Sequence, residues 1–398
     1  MKVLNIELKA MTKLFKNLPD SVKNNLQKWS VFFIYLFING LFVVKYGGQF
    51  SHFLLPVYCI AIFVLATVYI KIDLKDLVYK YLFWILTGLF FLFSVGLNYY
   101  VDGNSLNVDR WDAMEMGIKA MFNNQYPYDL KDFMGRESSN LPFLMVLGMP
   151  FYLLFGSVGF LQCFSFLLFS YLIFKIFDNY KLRLAAIILL VLSPSYLWEV
   201  YTKSDLLSNF IFVIGFSYII WAQFIQSKKI KIEWVSILTA LIFLTRLSVV
   251  IPLIVILFKA FYNFTVKEKL RFSSIFIWVV SVFLYFFFRN AVSWEVIVEH
   301  NPFTIQGSKQ PILLSLSYIV LAIILAFKVK SYFNITLFSG LILFIAVFIP
   351  YILHLVEYGY ENVMVNSFFD LSFFNMSMPF LIVSLVFILK GKLNRSTK

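Results

Sequence analysis

The chain has 398 residues, of which 61% are apolar, 49 are Phe and only 14% are charged; soluble domains carry about 25% charged and 45–50% apolar residues. This composition excludes a soluble globular enzyme and a disordered chain, and two Cys, at 59 and 163, exclude a disulfide-stapled scaffold. Lys and Arg outnumber Asp and Glu by 34 to 21, an excess that in so apolar a chain belongs to cytoplasmic loops rather than to nucleic-acid binding.

In chain order the apolar runs are 29–46, 53–71, 81–98, 158–177, 184–200, 207–226, 233–245, 247–263, 272–290, 311–329, 333–353 and 374–390. At roughly 20 residues per crossing, they predict an all-α polytopic membrane protein with about 12 transmembrane helices. The first 28 residues hold six Lys, and no small-residue cleavage pattern follows the run from Trp29, so that run is expected to stay as the first span. Residues 1–80 read as a basic tail with two additional spans, and 81–398 as one membrane-embedded domain with a large outer loop at 99–157.

Charge sets the sidedness of these runs. Segments 1–28, 71–80, 175–183, 227–233, 259–271, 327–331 and 390–398 contain 25 Lys and Arg against 7 acids, and the remainder contains 9 against 14. Because cytoplasmic loops are enriched in Lys and Arg, the first set is expected inside, with both termini cytoplasmic in a multi-pass inner-membrane protein. Only one full crossing then fits between the outer end of 81–98 and the inner segment 175–183. The short, Pro-containing run 141–155 is therefore expected to lie in the outer interface or to dip in and return, which backbone at that depth survives only beside protein or a wet cavity. The stretch 233–263 begins and ends inside, so it is expected to be two short crossings turning at Thr245-Arg246. The turn lifts Arg246 out of the apolar interior, where an unpaired charge costs at least about 2.5–3.5 kcal/mol.

The outer loop 99–157 holds 7 of the 21 acids. Within it, residues 109–122 alternate Trp111, Met114, Ile118 and Met121 with charged residues in a roughly helical pattern, predicting an amphipathic helix lying on the outer surface. Asp109 is placed to cap its start and Asp112 to lie one turn later on the same face; both also suit an ordinary solvated helix. The stretch SPSYLWEVYTKSDLLSNF puts Glu199, Lys203 and Asp205 at the outer boundary, where ionisable groups mark function or, with Trp198 and Tyr201, simple interfacial anchoring. Lys203, Arg246, Arg289 and Lys309 border spans at headgroup level, suited to a lipid phosphate, although such side chains also snorkel. The loop 354–373 offers His354, Glu357, Tyr358, Tyr360 and Glu361, a weak carbohydrate-like pattern. No metal-ligand spacing is present, so no metal or other cofactor is expected.

The run DRWDAMEMGIKAMFNNQYPY, 109–128, resembles the first outer loop of the C superfamily of glycosyltransferases. More narrowly, it looks like the polyprenyl-phosphate-sugar-dependent enzymes related to bacterial and archaeal mannosyltransferases. In that pattern a span (here 81–98) is followed by an acid (Asp109), an amphipathic helix (110–122), a loop end (Gln125-Tyr126-Pro127-Tyr128), a Pro-containing juxtamembrane segment (141–155) and a span ending in basic residues (158–177). SPSYLWEVYTKSD and TALIFLTRLSVVIPLIVIL, where Arg246 separates two apolar halves, look like later family segments, so the likeness runs over 81–263. The chain departs from the pattern in Asn123 or Asn124 for a Gly, in a D-x-x-D for a tighter acidic pair, and in the two spans that precede residue 81.

The resemblance implies a hexosyltransferase that moves a sugar, with inversion, from a polyprenyl-phosphate carrier to a lipid-linked or envelope glycan acceptor on the outer face, with membrane lipid as the remaining partner. Asp109 is expected to be the general base, with Asp112 second. Tyr128, Glu199, Lys203, Asp205 and Arg246 are expected to bind substrate: Glu199 or Asp205 orienting the acceptor, with a divalent ion the lesser alternative, and Lys203 and Arg246 offsetting charge on the leaving phosphate. Two other readings compete. A polysaccharide polymerase or ligase would carry its key loop late in the chain and depend on Arg. A lipid-linked sugar transporter or flippase would need ionisable residues in mid-span.

Overall fold

A computed structural model describes residues 20–106, 108–308 and 310–396. The basic tail before residue 20 and Lys309 lie outside the described residues. Those described are helical and contain no strand: α1 Asp20–Tyr46, α2 Ser51–Lys71, α3 Asp76–Tyr100, α4 Arg110–Phe122, α5 Pro142–Phe155, α6 Phe160–Ile176, α7 Tyr180–Val191, α8 Pro194–Tyr201 and α9 Leu206–Ile219. After a π-helical turn at Ile220–Gln226 come α10 Ile232–Phe243, α11 Val250–Tyr262, α12 Val266–Phe288, α13 Trp294–Glu299, α14 Pro302–Gly307, α15 Ile312–Ala326, α16 Tyr332–Met364 and α17 Met378–Ser396. Helix is the expected solution in lipid, where every backbone N–H and C=O must be paired within its own segment. The boundaries follow local chemistry. Pro142 and Pro194 open α5 and α8, where a missing N–H costs nothing. Thr265 and Glu268 form a reciprocal capping box at the start of α12.

Six described helices are long and apolar enough to cross a membrane, and up to nine spans result if each sharply bent helix pair counts as one. The expected count of about 12 is not reached on this criterion, because apolar helices such as α10 and α11 fall short of a full crossing length. The segment 141–155 does form a helix, α5, but it is bent by 111° from α6 and does not continue it. A bend of that size belongs either to a broken span or to a re-entrant segment. It falls within residues 156–159, and Gly156, with a left-handed φ of 74°, closes α5.

Contacts sort the loops into two poles. At one, Tyr69 donates to the Lys181 carbonyl (2.6 Å), Lys390 pairs with Asp178 (3.8 Å), Arg271 with Glu233 (2.8 Å), and Lys259 reaches the Val329 carbonyl (3.4 Å). At the other, Arg110 pairs with Asp370, Arg246 with Asp205, Tyr126 donates to the His300 carbonyl and Gln306 to the Ser139 carbonyl. These groupings are the cation-rich and acid-rich sets separated above by charge alone.

The 233–263 stretch is a helical hairpin. Glu233–Arg271, the Ser236 hydroxyl on the Phe272 carbonyl (2.6 Å) and the Phe243–Phe276 ring contact pair α10 with α12 in parallel. Because α11 joins the end of the first to the start of the second, it must run back between them. Of the two helices preceding residue 76, α1 belongs to the bundle core. Tyr35 and Ile38 are fully buried, and Phe37 meets the rings of Phe344, Phe348 and Phe374. Apolar lipid tails supply little drive for helix association, so such close packing carries the stability.

Candidate functional site

At the acid-rich pole, four chain segments converge on the turn between α10 and α11. Arg246 stands there in extended backbone. The Leu244 carbonyl accepts from Phe143 N–H at the start of α5 (2.9 Å), and Leu247 N–H donates to Gln306 Oε1 (2.8 Å). Gln306 in turn donates to the Ser139 carbonyl (2.5 Å). Loop 138–140, the hairpin tip and α14 are thereby tied together. The Arg246 guanidinium donates to Asp205 Oδ2 (2.5 Å) and Asn140 Oδ1 (3.4 Å), with the ion pair only 5% and 6% exposed. Among the described residues, Asp205 Oδ1 and Arg246 Nε have no hydrogen-bond partner. A buried ion pair with spare donor and acceptor capacity is costly to maintain for stability alone.

Arg246 opens onto a cavity of about 460 Å³. Its polar end also includes Gln306, Gln310, His354 and Asp370. Its remainder runs between apolar residues of α11 (Ile251), α15 (Ile319) and α16 (Leu343, Val347). Gln310 Oε1 and the Tyr318 hydroxyl, both on residues lining the cavity, are buried with no partner among the described residues. The space is thus amphiphilic, with ionic and amide groups at one end and hydrocarbon at the other, within the 300–1,000 Å³ typical of ligand sites.

A second ion pair ties the 99–157 loop to Asp370, which lines the cavity. Arg110, at the start of α4, pairs with Asp370 across 260 residues and also donates to the Ser372 hydroxyl (3.0 Å). The Asp370 carboxylate is 45% exposed beside the cavity, yet protein crowds it. That crowding alone would push its pKa up; Arg110 and Ser372 outweigh it and hold the carboxyl below the ordinary carboxylate value. Arg110 also feels the charges of Asp205 and Asp109, so the acids of the first loop and the α8–α9 loop come near one guanidinium.

Asp109 precedes α4 as expected, but its side chain makes no cap bond. It pairs instead with Arg136 (3.0 Å), because the loop 129–137 folds back over the helix start. Asp112 Oδ2 accepts from Phe133 N–H (2.9 Å) and anchors that same loop. Tyr128 is fully buried against Tyr126 and Phe288, its hydroxyl without a partner among the described residues; it is not among the residues lining the Arg246 cavity. Glu199 is fully buried as well: Oε1 accepts from Leu207 and Ser208 N–H and Oε2 from Asn375. It therefore caps the start of α9, whose orphan N–H groups attract a carboxylate. Lys203 has left-handed backbone (φ 53°). Burial lowers its pKa against the opposing charges of Glu115 and Asp102, which places it on the α4 side rather than beside Arg246. Of the residues singled out from sequence, Asp205 and Arg246 meet directly and Asp109 lies one residue from the Arg110 bridge.

Asp370, Asn140, Gln306, Gln310 and Tyr318 were not singled out from sequence. Only the stretch 354–373, rich in aromatics and acids, offered any signal, and its first part, to Met364, is the end of α16 rather than a loop. Among the described residues no three His, Cys, Asp or Glu side chains converge as a metal site. Chemically, the cavity can hold an anionic head between guanidinium and amide groups while an apolar tail lies among α11, α15 and α16. No protein-family model, no curated protein and no solved structure matches this chain.

Proposed function

We propose that this chain is an integral membrane glycosyltransferase. It would move a hexosyl group from a polyprenyl-phosphate carrier to a lipid-linked or envelope glycan acceptor, at the outer face of the cytoplasmic membrane. The observation that carries the reading is the amphiphilic cavity, with Arg246 at its polar end and three apolar helices along its length. A phosphate diester on an isoprenoid tail has that same division. In this reading the short helices α10 and α11 complete a bundle of about 12 crossings, the chain ends are cytoplasmic, and the acid-rich pole faces outward.

In the proposed reaction the acceptor hydroxyl attacks the anomeric carbon as the bond from that carbon to the phosphate oxygen breaks. Its proton passes to a carboxylate acting as general base, and the electron pair of the broken bond leaves on the polyprenyl phosphate. Arg246 is already oriented by Asp205 and Asn140 and stabilises that developing charge without reorganising. Asp109 is the proposed base. Its present partner, Arg136, is 64% exposed, and exposed pairs are worth about 0–1 kcal/mol, so the carboxylate can exchange that partner for an acceptor. Asp112 is second, because its oxygen already holds the Phe133 amide.

The test is Asp109→Asn in membranes supplied with a polyprenyl-phosphate sugar and acceptor lipid. Transfer is expected to be lost, with the protein still inserted. Persistence near the wild-type rate, with loss in Asp112→Asn, would move the base to Asp112, and indifference to both would remove the transferase reading. A polymerase or ligase is the second reading, favoured by one observation: Gln306, His354 and Asp370, all late in the chain, form much of the polar rim. A transporter or flippase would instead move the lipid-linked sugar across liposomes without forming a new glycosidic bond.

A further inference from the structure

A second cavity, of about 360 Å³, lies between α1, α2, α7 and α17, shares no lining residue with the first and serves no part of the proposed reaction. It exists because α2 packs on α1, where Trp29 stacks on Phe63, but stands away from α7 and α17. Only 6% of that helix's apolar window is buried, and its two hydroxyl contacts to the α7 region lie at different heights. Tyr58 donates to the Leu192 carbonyl (3.3 Å) and Tyr69 to the Lys181 carbonyl (2.6 Å). These bonds stand about 16 Å apart along α2 at 1.5 Å per residue. Between them, small side chains, Ala66 on α2 and Ala185 on α7, leave a slot whose inner wall is made by Leu385 and Leu389 of α17.

The slot is lined almost wholly by hydrocarbon, and water there would lack the two to four polar partners that hold a buried water. One charged group lines it, Lys392, at the cation-rich pole. Neighbouring lysines have carboxylate partners, Lys390 with Asp178 and Lys181 with Asp73. Among the described residues Lys392 has no ion-pair partner. An apolar slot with a cation at its end matches a lipid chain carrying a negative headgroup.

We propose that this slot is a binding site for one acyl chain of an anionic phospholipid, whose phosphate pairs with Lys392 and whose tail fastens α2 to α7 and α17. The site is independent of the glycosyl-transfer reading. The lipid supplies the packing contacts that α2 lacks from protein.

The experiment uses the full chain purified from membranes holding phosphatidylglycerol and phosphatidylethanolamine, followed by native mass spectrometry during stepwise delipidation. One phosphatidylglycerol is expected to stay bound after the other lipids have gone. Ala185→Phe, which fills the slot, should lose it. Lys392→Gln should still retain a lipid but no longer prefer phosphatidylglycerol over phosphatidylcholine in nanodiscs. As a readout that needs no variant, phosphatidylglycerol with a photoreactive acyl chain should crosslink to peptides of α2 or α17. The proposal is overturned if Ala185→Phe keeps the lipid as wild type does, if wild type retains neutral and anionic lipids alike, if polyprenyl phosphate is the species retained, or if crosslinks fall only elsewhere.

Discussion

Arg246 and Asp205 show how a charge is made tolerable at the edge of an apolar bundle. Alone, either would be a desolvated ion; together, 2.5 Å apart, each neutralises the other while leaving Nε and one carboxylate oxygen free. Removing one partner leaves the other buried and unpaired, which costs about 3–5 kcal/mol. Arg246→Ala is therefore expected to lower the thermal unfolding temperature in detergent strongly. Arg246→Leu combined with Asp205→Leu should recover most of that stability, since an apolar pair of similar volume packs without the desolvation cost. Binding of polyprenyl phosphate should be absent in both, which separates the stability role from the ligand role.

Glu115 gives a residue-scale prediction of a different kind. It is buried on the inner face of α4, where it accepts from Val158 N–H (3.1 Å). Burial is the largest influence on it and raises its pKa, with the Val158 amide and Lys119 opposing. A carboxyl whose pKa is higher folded than unfolded binds more protons in the native state. Its contribution to stability is therefore full below the unfolded value and declines as pH rises from there through the folded value. Glu115→Gln keeps an acceptor for Val158 and should abolish that decline. Unfolding measured across this pH range in both proteins checks it, and parallel curves would contradict it.

At the scale of elements, the sharp change of direction between α5 and α6 takes place over residues 156–159, and Gly156 opens it. Gly156 has φ of 74° with open space where a Cβ would stand, so a side chain there is opposed by backbone strain alone. Left-handed backbone costs a non-glycine residue roughly 1–2 kcal/mol. Gly156→Ala is expected to lower stability by about that much, with no loss of packing, as read from the unfolding midpoint. The contrast is Gly340, where a Cβ would come within 3.1 Å of Phe380 and 3.2 Å of Leu381. There the constraint is the close approach of α16 to α17, the device by which helices associate tightly in lipid.

For the whole molecule, the separation into two poles yields the most exposing test of the proposed topology. Single cysteines at Gly135 and at Asn263, in a Cys59→Ala, Cys163→Ala background, are expected to react oppositely with an impermeant thiol reagent on intact cells. Gly135 should be labelled from outside, and Asn263 only after the cells are opened. Labelling of both from the same side would contradict the two-pole reading, and the inverse pattern would turn the transferase proposal around in the membrane.

Hydropathy and charge count determined by themselves that this chain is helical and membrane-bound, which loops share a pole, that 141–155 leaves the line of its neighbour, and that 233–263 turns at Arg246. Those properties are local or additive: apolar content over one turn after another, and the sum of charges between runs. The tertiary structure alone decided that Arg246 answers Asp205 from 41 residues away and Arg110 answers Asp370 from 260. It also decided that Glu199 accepts the N–H groups of a helix start and that Tyr128 is buried against Tyr126 and Phe288. Periodicity carries no information on which distant charge a side chain meets. That partner is set by how helices pack, and in lipid the packing follows shape complementarity rather than the hydrophobic pattern from which the helices are read.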